Sequence, residues 1–166
     1  AINTIKNIYD EGQAEGGLSY TEEQLSRAAD AQELIERAVR SLNLSDVPDA
    51  HRERIGLNRT LMLREIFNRI ETPDIESAPG LYTQGKDGER TINTDLPKRW
   101  EIPGTEIAIE LGKEGKYVRE YLFSIDTVTE IPQFYKDVHS VPSRPSVEHP
   151  DFYHFYTSTP GTLLPY

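Results

Sequence analysis

The strongest periodic pattern in the chain lies between Thr21 and Leu42. Leu25, Ala28, Ala29, Ile35, Val39 and Leu42 follow one helical stripe, interrupted by Gln32. Thr21 with Gln24 three residues later is a capping-box pattern, and Glu22 and Glu23 stand at the positive end of the helix dipole. Glu33 with Arg37 and Glu36 with Arg40 are four apart, in the order that supports a helix. Asn43 ends the pattern. Leu44-Ser45-Asp46-Val47-Pro48 reads as a linker, with Ser45 or Asp46 capping a second helix and Pro48 in its first turn. Ile55, Met62, Leu63, Ile66, Phe67 and Ile70 give that helix a broad apolar face, and Thr72-Pro73 stops it. Gly56 inside it costs about 1 kcal/mol against alanine, which signals close helix approach or a local break. Two helices on a short connection predict an αα-hairpin.

The period then changes. Pro73, Pro79-Gly80, Gly85, Asp87-Gly88 and Pro97 punctuate residues 73–98. Leu81-Tyr82-Thr83 and Thr91-Ile92-Asn93 predict two short strands there, with a loop as the rival reading. Trp100-Glu101-Ile102 is extended, and Pro103-Gly104 suits the central positions of a type II turn. Ile107, Ile109 and Leu111 alternate with Glu106, Ala108 and Glu110 as in a half-buried strand. After Gly112-Lys113-Glu114-Gly115, Tyr117 to Phe123 returns as a second strand. Tyr117, Arg119, Tyr121 and Phe123 share one of its faces, and Val118, Glu120 and Leu122 the other. Ser124 or Asp126 caps a helical segment whose buried face is Val128, Ile131, Tyr135 and Val138. Pro132 sits too deep for one unbroken helix, so the expectation is a short turn and a fresh start with Pro132 at the first position.

The two ends carry weaker signals. Ile2, Ile5 and Ile8-Tyr9 predict a short amphipathic turn, followed by a loop marked by Gly12, Gly16 and Gly17. The chain from Pro142 holds five prolines and reads as extended, not as a packed element. Phe152-Tyr153-His154-Phe155-Tyr156 inside it either docks on the domain or lies at a membrane interface, where tyrosine is favoured. The predicted fold class is α+β: an N-terminal helical hairpin on a small antiparallel sheet (hairpin 106–123), then a short helix and a Pro-rich tail. The organisation expected is an arm (1–20), one domain (21–141) and a tail (142–166).

Composition narrows the partners. A net charge of -10 argues against a nucleic-acid binder and against adsorption to anionic membrane through a polybasic patch. With 36% hydrophobic residues and a mean hydropathy of -0.61, the core is modest. No cysteine is present, which excludes disulfides, thiolate nucleophiles and cysteine metal sites. No run approaches the roughly 18 apolar residues of a membrane helix. A start at Ala1-Ile2-Asn3 reads as that of a processed or truncated product.

Candidate chemistry is sparse. His149-Pro150-Asp151 with His154 is the best metal arrangement among the histidines His51, His139, His149 and His154, and it lies in a loop. Glu106, Glu110 and Glu120 are candidate paired carboxylates, against the reading of a solvated sheet face neutralised by Arg119 or Lys116. No nucleophile elbow, phosphate loop or dinucleotide fingerprint occurs. Trp100 with Tyr117 and Tyr121 offers a stacking surface for a sugar or another ring, against the reading of a core tryptophan pinning the sheet to the helices. No catalytic residue, metal ligand or cofactor is expected, and the chain reads as a non-enzyme.

Arg99-Trp100, Ile102-Pro103, Thr105-Glu106-Ile107, Ile109, Glu120-Tyr121-Leu122-Phe123-Ser124, Thr127-Val128, Phe134-Tyr135 and Val138 resemble the N-terminal extracytoplasmic domain of certain bacterial small-conductance (MscS-type) mechanosensitive channels. Leu44 to Pro48, Leu61 to Ile66 and Arg69-Ile70 are similar to the same family, and Phe152 to Pro165 to the segment leading into its first membrane helix. The resemblance runs from Leu42 to the end; the first forty residues lie outside it, and Arg119 departs from the small residue of the pattern. It implies a periplasmic regulatory or sensory domain of an inner-membrane protein, acting in gating or assembly. The implied partners are other subunits of the same channel and the membrane beside the tail. The alternative is a stand-alone periplasmic small-molecule or glycan-binding module around Trp100. Trp100, Tyr117, Tyr121, Phe152, Tyr153, Phe155 and Tyr156 are the candidate ligand or partner contacts.

Overall fold

The structure, a computed structural model, describes residues 1–17, 19–72, 77–80, 82–84, 87–112, 118–159 and 162–163, and of 82–84 and 90 the backbone alone. Among the described residues the fold is α+β, with five helices, a three-stranded antiparallel sheet and a separate two-stranded ribbon. The helices are α1 (Ile2–Ala14), α2 (Glu22–Val39), α3 (Asp49–Phe67), α4 (Ile125–Val138) and α5 (Phe152–Ser158). The ribbon pairs β1 (Tyr82–Gln84) with β2 (Arg90–Ile92), and the sheet has the order β3 (Arg99–Glu101), β4 (Ala108–Leu111), β5 (Tyr121–Phe123). No helix among the described residues is long and apolar enough to cross a membrane.

The predicted strands pair, but the expected strand from Tyr117 to Phe123 is shortened to Tyr121–Phe123: Val118 and Arg119 lie in a turn, with Arg119 at φ 66. Trp100 pairs with Ile109, and Ile109 with Phe123 on its other side, which puts the three on one face of the sheet. At the β3–β4 turn Gly104 takes φ 77 while the Thr105 N–H bonds the Ile102 carbonyl at 3.0 Å, so glycine supplies the positive φ the turn needs. The chain leaving α2 completes the sheet edge: Phe123 donates to the Ser41 carbonyl and accepts from the Asn43 N–H. Residues 113–117, including Tyr117, and Leu81 lie outside the described residues.

The capping box of α2 is present, with Thr21 accepting from the Gln24 N–H and the Gln24 side chain accepting from the Thr21 N–H. Its buried stripe, however, is Gln24, Ala28, Ala31 and Ile35, while Leu25 and Ala29 face solvent. The predicted stripe is corrected by a rotation about the helix axis. Ile5 and Ile8 of α1, both fully buried, share a cluster with Ala28 and Ala31, so small residues face the incoming helix. Gly56 reports close approach and not a break: a Cβ built there would stand 2.7 Å from Val39 Cγ1 and 3.0 Å from Leu44 Cδ1. The predicted cap of α3 is shifted, since Pro48 is its N-cap and no side chain caps it.

Three further expectations are corrected. Helix α4 runs unbroken through Pro132, because Val128 and Ile131, on either side of the missing hydrogen bond, are both buried against the core. The amphipathic turn at the N-terminus is a thirteen-residue helix. The tail is not wholly extended: α5 buries Phe152 and Tyr156, so the aromatic segment docks on the domain. The interior divides into two clusters. Ile5, Ile8, Ala28, Ala31, Ile35, Leu57, Leu61, Phe152 and Tyr156 make the first; Leu42, Leu63, Ile66, Ile102, Ile107, Val128 and Ile131 make the second. Helix α3 contributes to both.

Candidate functional site

Glu65 lies on α3 between the residues that feed the two clusters, and its side chain has no solvent exposure. A buried carboxylate is costly unless every oxygen is met by donors. Here Arg64 Nη1 and Arg69 Nη1 each donate to it at 2.8 Å. The N–H groups of Asp151 and Phe152, where α5 begins, donate at 3.1 Å each. Arg69 is itself enclosed, with 3% side-chain exposure, and its second terminal nitrogen donates to the Asp151 carboxylate. Burial would lower the Arg69 pKa, but the hydrogen bonds and charges of Glu65 and Asp151 outweigh it and raise the value. Arg64 also holds the carbonyls of Glu148 and His149, at 3.0 and 3.3 Å.

The tail therefore meets the helical layer through a charge hub and not only through its aromatics. Two residues on its approach, His149 (φ 49) and Asp151 (φ 62), adopt the left-handed conformation that non-glycine residues seldom take. The aromatic candidates then separate by role. Phe152 and Tyr156 are buried in the first cluster. Phe155 meets Tyr9 edge-on at 5.1 Å and lies under Lys6 Nζ at 4.8 Å. Tyr153 meets Tyr135 of α4 edge-on at 5.3 Å, and burial raises its pKa. These contacts tie α5 to α1, α3 and α4 together.

Trp100 and Tyr121 each have a contact of their own. Trp100 packs against the second cluster beside Ile102 and Ile107, the arrangement of a core tryptophan. Tyr121 is spent on a 2.6 Å hydrogen bond from its hydroxyl to the Pro97 carbonyl. Tyr117 lies outside the described residues.

A second polar network sits where the sheet meets α4. Arg99 forks onto Asp126 at 2.8 and 3.2 Å and reaches Glu110 at 2.8 Å. The hydrogen bonds from Arg99, then from Ser124, hold the Asp126 carboxyl well below the usual range, and those that Arg99 donates to Asp126 and Glu110 raise its own pKa. Arg99 and Asp126, with Glu101, Glu106, Thr127, Glu130 and Phe134, line a shallow hollow of about 370 Å³. Glu110, the carboxylate read as working with Glu106, is thus paired with Arg99, and Glu120 is exposed; Lys116 lies outside the described residues. Among the described residues no group of three or more His, Asp and Glu is placed to hold a metal ion.

Between α2 and α3 runs a groove of about 640 Å³ lined by Gln32, Ile35, Glu36, Val39, Glu53, Leu57 and Leu163 among others. The Gln32 amide donates to the Leu163 carbonyl there. Gln32, which interrupts the apolar stripe, is thus a contact to the C-terminal segment. The sequence pattern singled out neither Gln32 nor Glu65. An acid inside an apolar run, at the spacing Glu65–Arg69, was the available signal for the hub. Compared with family models, curated proteins and solved structures, the chain matches none of them.

Proposed function

We propose that the chain is a non-enzymatic extracytoplasmic regulatory domain of an MscS-type mechanosensitive channel, lying in the periplasm as part of an inner-membrane protein and acting in gating or assembly with other subunits of that channel. The observation that carries the reading is the way the hub joins the tail to the body. The segment similar to the lead into the first membrane helix begins at Phe152, and the Phe152 N–H donates directly to the buried Glu65 carboxylate. A pull transmitted to α5 reaches α3 through this charge cluster. The words that carry the resemblance also belong to one packed unit: Trp100, Ile102, Ile107, Phe123, Val128, Phe134, Tyr135 and Val138 pack together with Leu63 and Ile66.

Regulation of this kind requires contacts that differ between closed and open states. The tail contacts to Glu65, Arg64 and Arg69 are suited to that, since they join two elements through polar groups that water can replace. The test is the coding sequence after Tyr166, followed by patch-clamp recording of the encoded protein with and without residues 1–166. Several hydrophobic spans and a shifted opening threshold are expected; a stop codon soon after Tyr166 overturns the reading.

A further inference from the structure

We propose that α5 is a releasable strap, a helix that undocks from α3 on the tether 140–151 while the sheet, α3 and α4 stay folded. The hub has an asymmetry that allows it. Arg64 and Glu65 lie on α3 and Arg69 in the turn that directly follows it, and Glu65 pairs with both arginines without any help from the tail. Departure of α5 withdraws the N–H groups of Asp151 and Phe152 and the Asp151 carboxylate, and with the tether the Glu148 and His149 carbonyls that Arg64 holds. The opened face keeps its acid and bases paired, and water takes the vacated positions. Buried ion pairs of this sort fix register more than they add net stability. The receptor is therefore preformed, and the strap can return to one position only.

The tail's own features point the same way. A seven-residue helix does not persist unsupported in water, so α5 orders on docking. The left-handed His149 and Asp151 are held by the docked contacts, and release relaxes them. The tether contains no helix or strand and is fastened by exposed polar bonds: Arg144 to the Phe67 carbonyl, Glu148 to Asn3 and His149 to Asn7. Its buried anchors, Phe152 and Tyr156, enter the first cluster, whereas α4 and the sheet are built on the second, which α5 meets at its margin through the edge-on pair of Tyr153 with Tyr135. Opening the strap therefore leaves the second cluster intact. The strap is a property of the chain, whatever protein surrounds it.

Native-state hydrogen exchange of the 166-residue chain, followed across low denaturant concentrations, tests this. Amides of 152–158 are expected to open about 100-fold more often than those of 128–138, with a weak denaturant dependence that marks local release. Asp151→Asn, a change at a solvent-facing carboxylate whose left-handed backbone asparagine accepts, is expected to speed exchange in α5 about tenfold and leave α4 unchanged. Exchange of α5 and α4 with one opening free energy and one denaturant slope overturns the strap. So does an Asp151→Asn effect of equal size in both helices.

Discussion

Glu65 in the last turn of α3 and Arg69 in the turn that follows it pair at 2.8 Å, with the carboxylate fully enclosed and the guanidinium nearly so. An ion pair on a helix surface contributes little. This one differs because both partners are withdrawn from water and the carboxylate also binds the start of α5. Glu65→Gln leaves two arginines facing a neutral amide whose NH2 group competes with the tail N–H donors. The expected loss is about 3–5 kcal/mol in denaturant unfolding. The double change Glu65→Leu with Arg69→Met is expected to recover most of it, since apolar residues of similar volume replace such pairs at little cost. A loss under about 1 kcal/mol for Glu65→Gln contradicts the hub's role.

Gly56 tests the packing of the α2–α3 pair. Alanine gains about 1 kcal/mol in helix propensity over glycine. Against that, the new Cβ stands 2.7 Å from Val39 Cγ1, and valine has few rotamers with which to retreat. Gly56→Ala is therefore expected to destabilise the chain by about 1–2 kcal/mol net of the propensity gain. Val39→Ala added to it should return part of the loss, read as a thermal midpoint that rises from single to double variant. Stabilisation by Gly56→Ala alone would show that the helices yield.

What was legible in the sequence was local. The Thr21–Gln24 capping box, the Pro103-Gly104 turn and the antiparallel β3–β4–β5 pairing each depend on nearby residues, and each is present; the burial alternation of β4 is not, since Ala108 is fully buried while Ile109 and Leu111 are half-buried. The hub depends on pairs 82 to 87 residues apart, so no window along the chain contains it. The tail misled for a related reason. Its prolines report the backbone of 142–151, while Phe152 and Tyr156 report a partner surface made by α1, α2 and α3. The α2 stripe was placed in part: Ala28, Ile35 and Leu42 are buried as the pattern predicts, but Leu25 and Ala29 face solvent while Gln24 and Ala31 are buried. Here Ala28 and Ala31 are buried for being small, and Leu25 and Leu34 stay outside.

Pro132 marks a different local rule overridden by packing. Proline has no N–H to donate to the Val128 carbonyl four residues back, and its ring crowds that carbonyl, yet α4 continues to Val138. The contacts of Val128 and Ile131 with the second cluster hold the two halves in line. Pro132→Ala restores the donor and is expected to raise stability by about 1 kcal/mol or more, seen as a higher denaturation midpoint with unchanged slope. A lower midpoint would mean that the proline ring itself fills a needed space.

The Arg99–Asp126 fork sets a pH prediction. Hydrogen bonds from Arg99 and Ser124 depress the Asp126 pKa from its ordinary 3.8 in the folded chain. A depressed carboxyl contributes stability above its unfolded value, and the contribution is lost as the pH falls from there through the folded value. Stability should therefore fall on the acid side of about pH 4, and part of that fall belongs to this pair. Asp126 is 60% exposed and Arg99 34%, so water and salt screen the interaction and hold its worth to about 0.5–1 kcal/mol. Asp126→Asn is expected to lose that amount at pH 7, with the difference from wild type closing as the pH drops below 3.8. Urea denaturation of both chains between pH 7 and pH about 2, at low and high salt, measures it. A difference that persists unchanged in acid would assign the Asp126 effect to packing at the start of α4 and not to the charge it shares with Arg99.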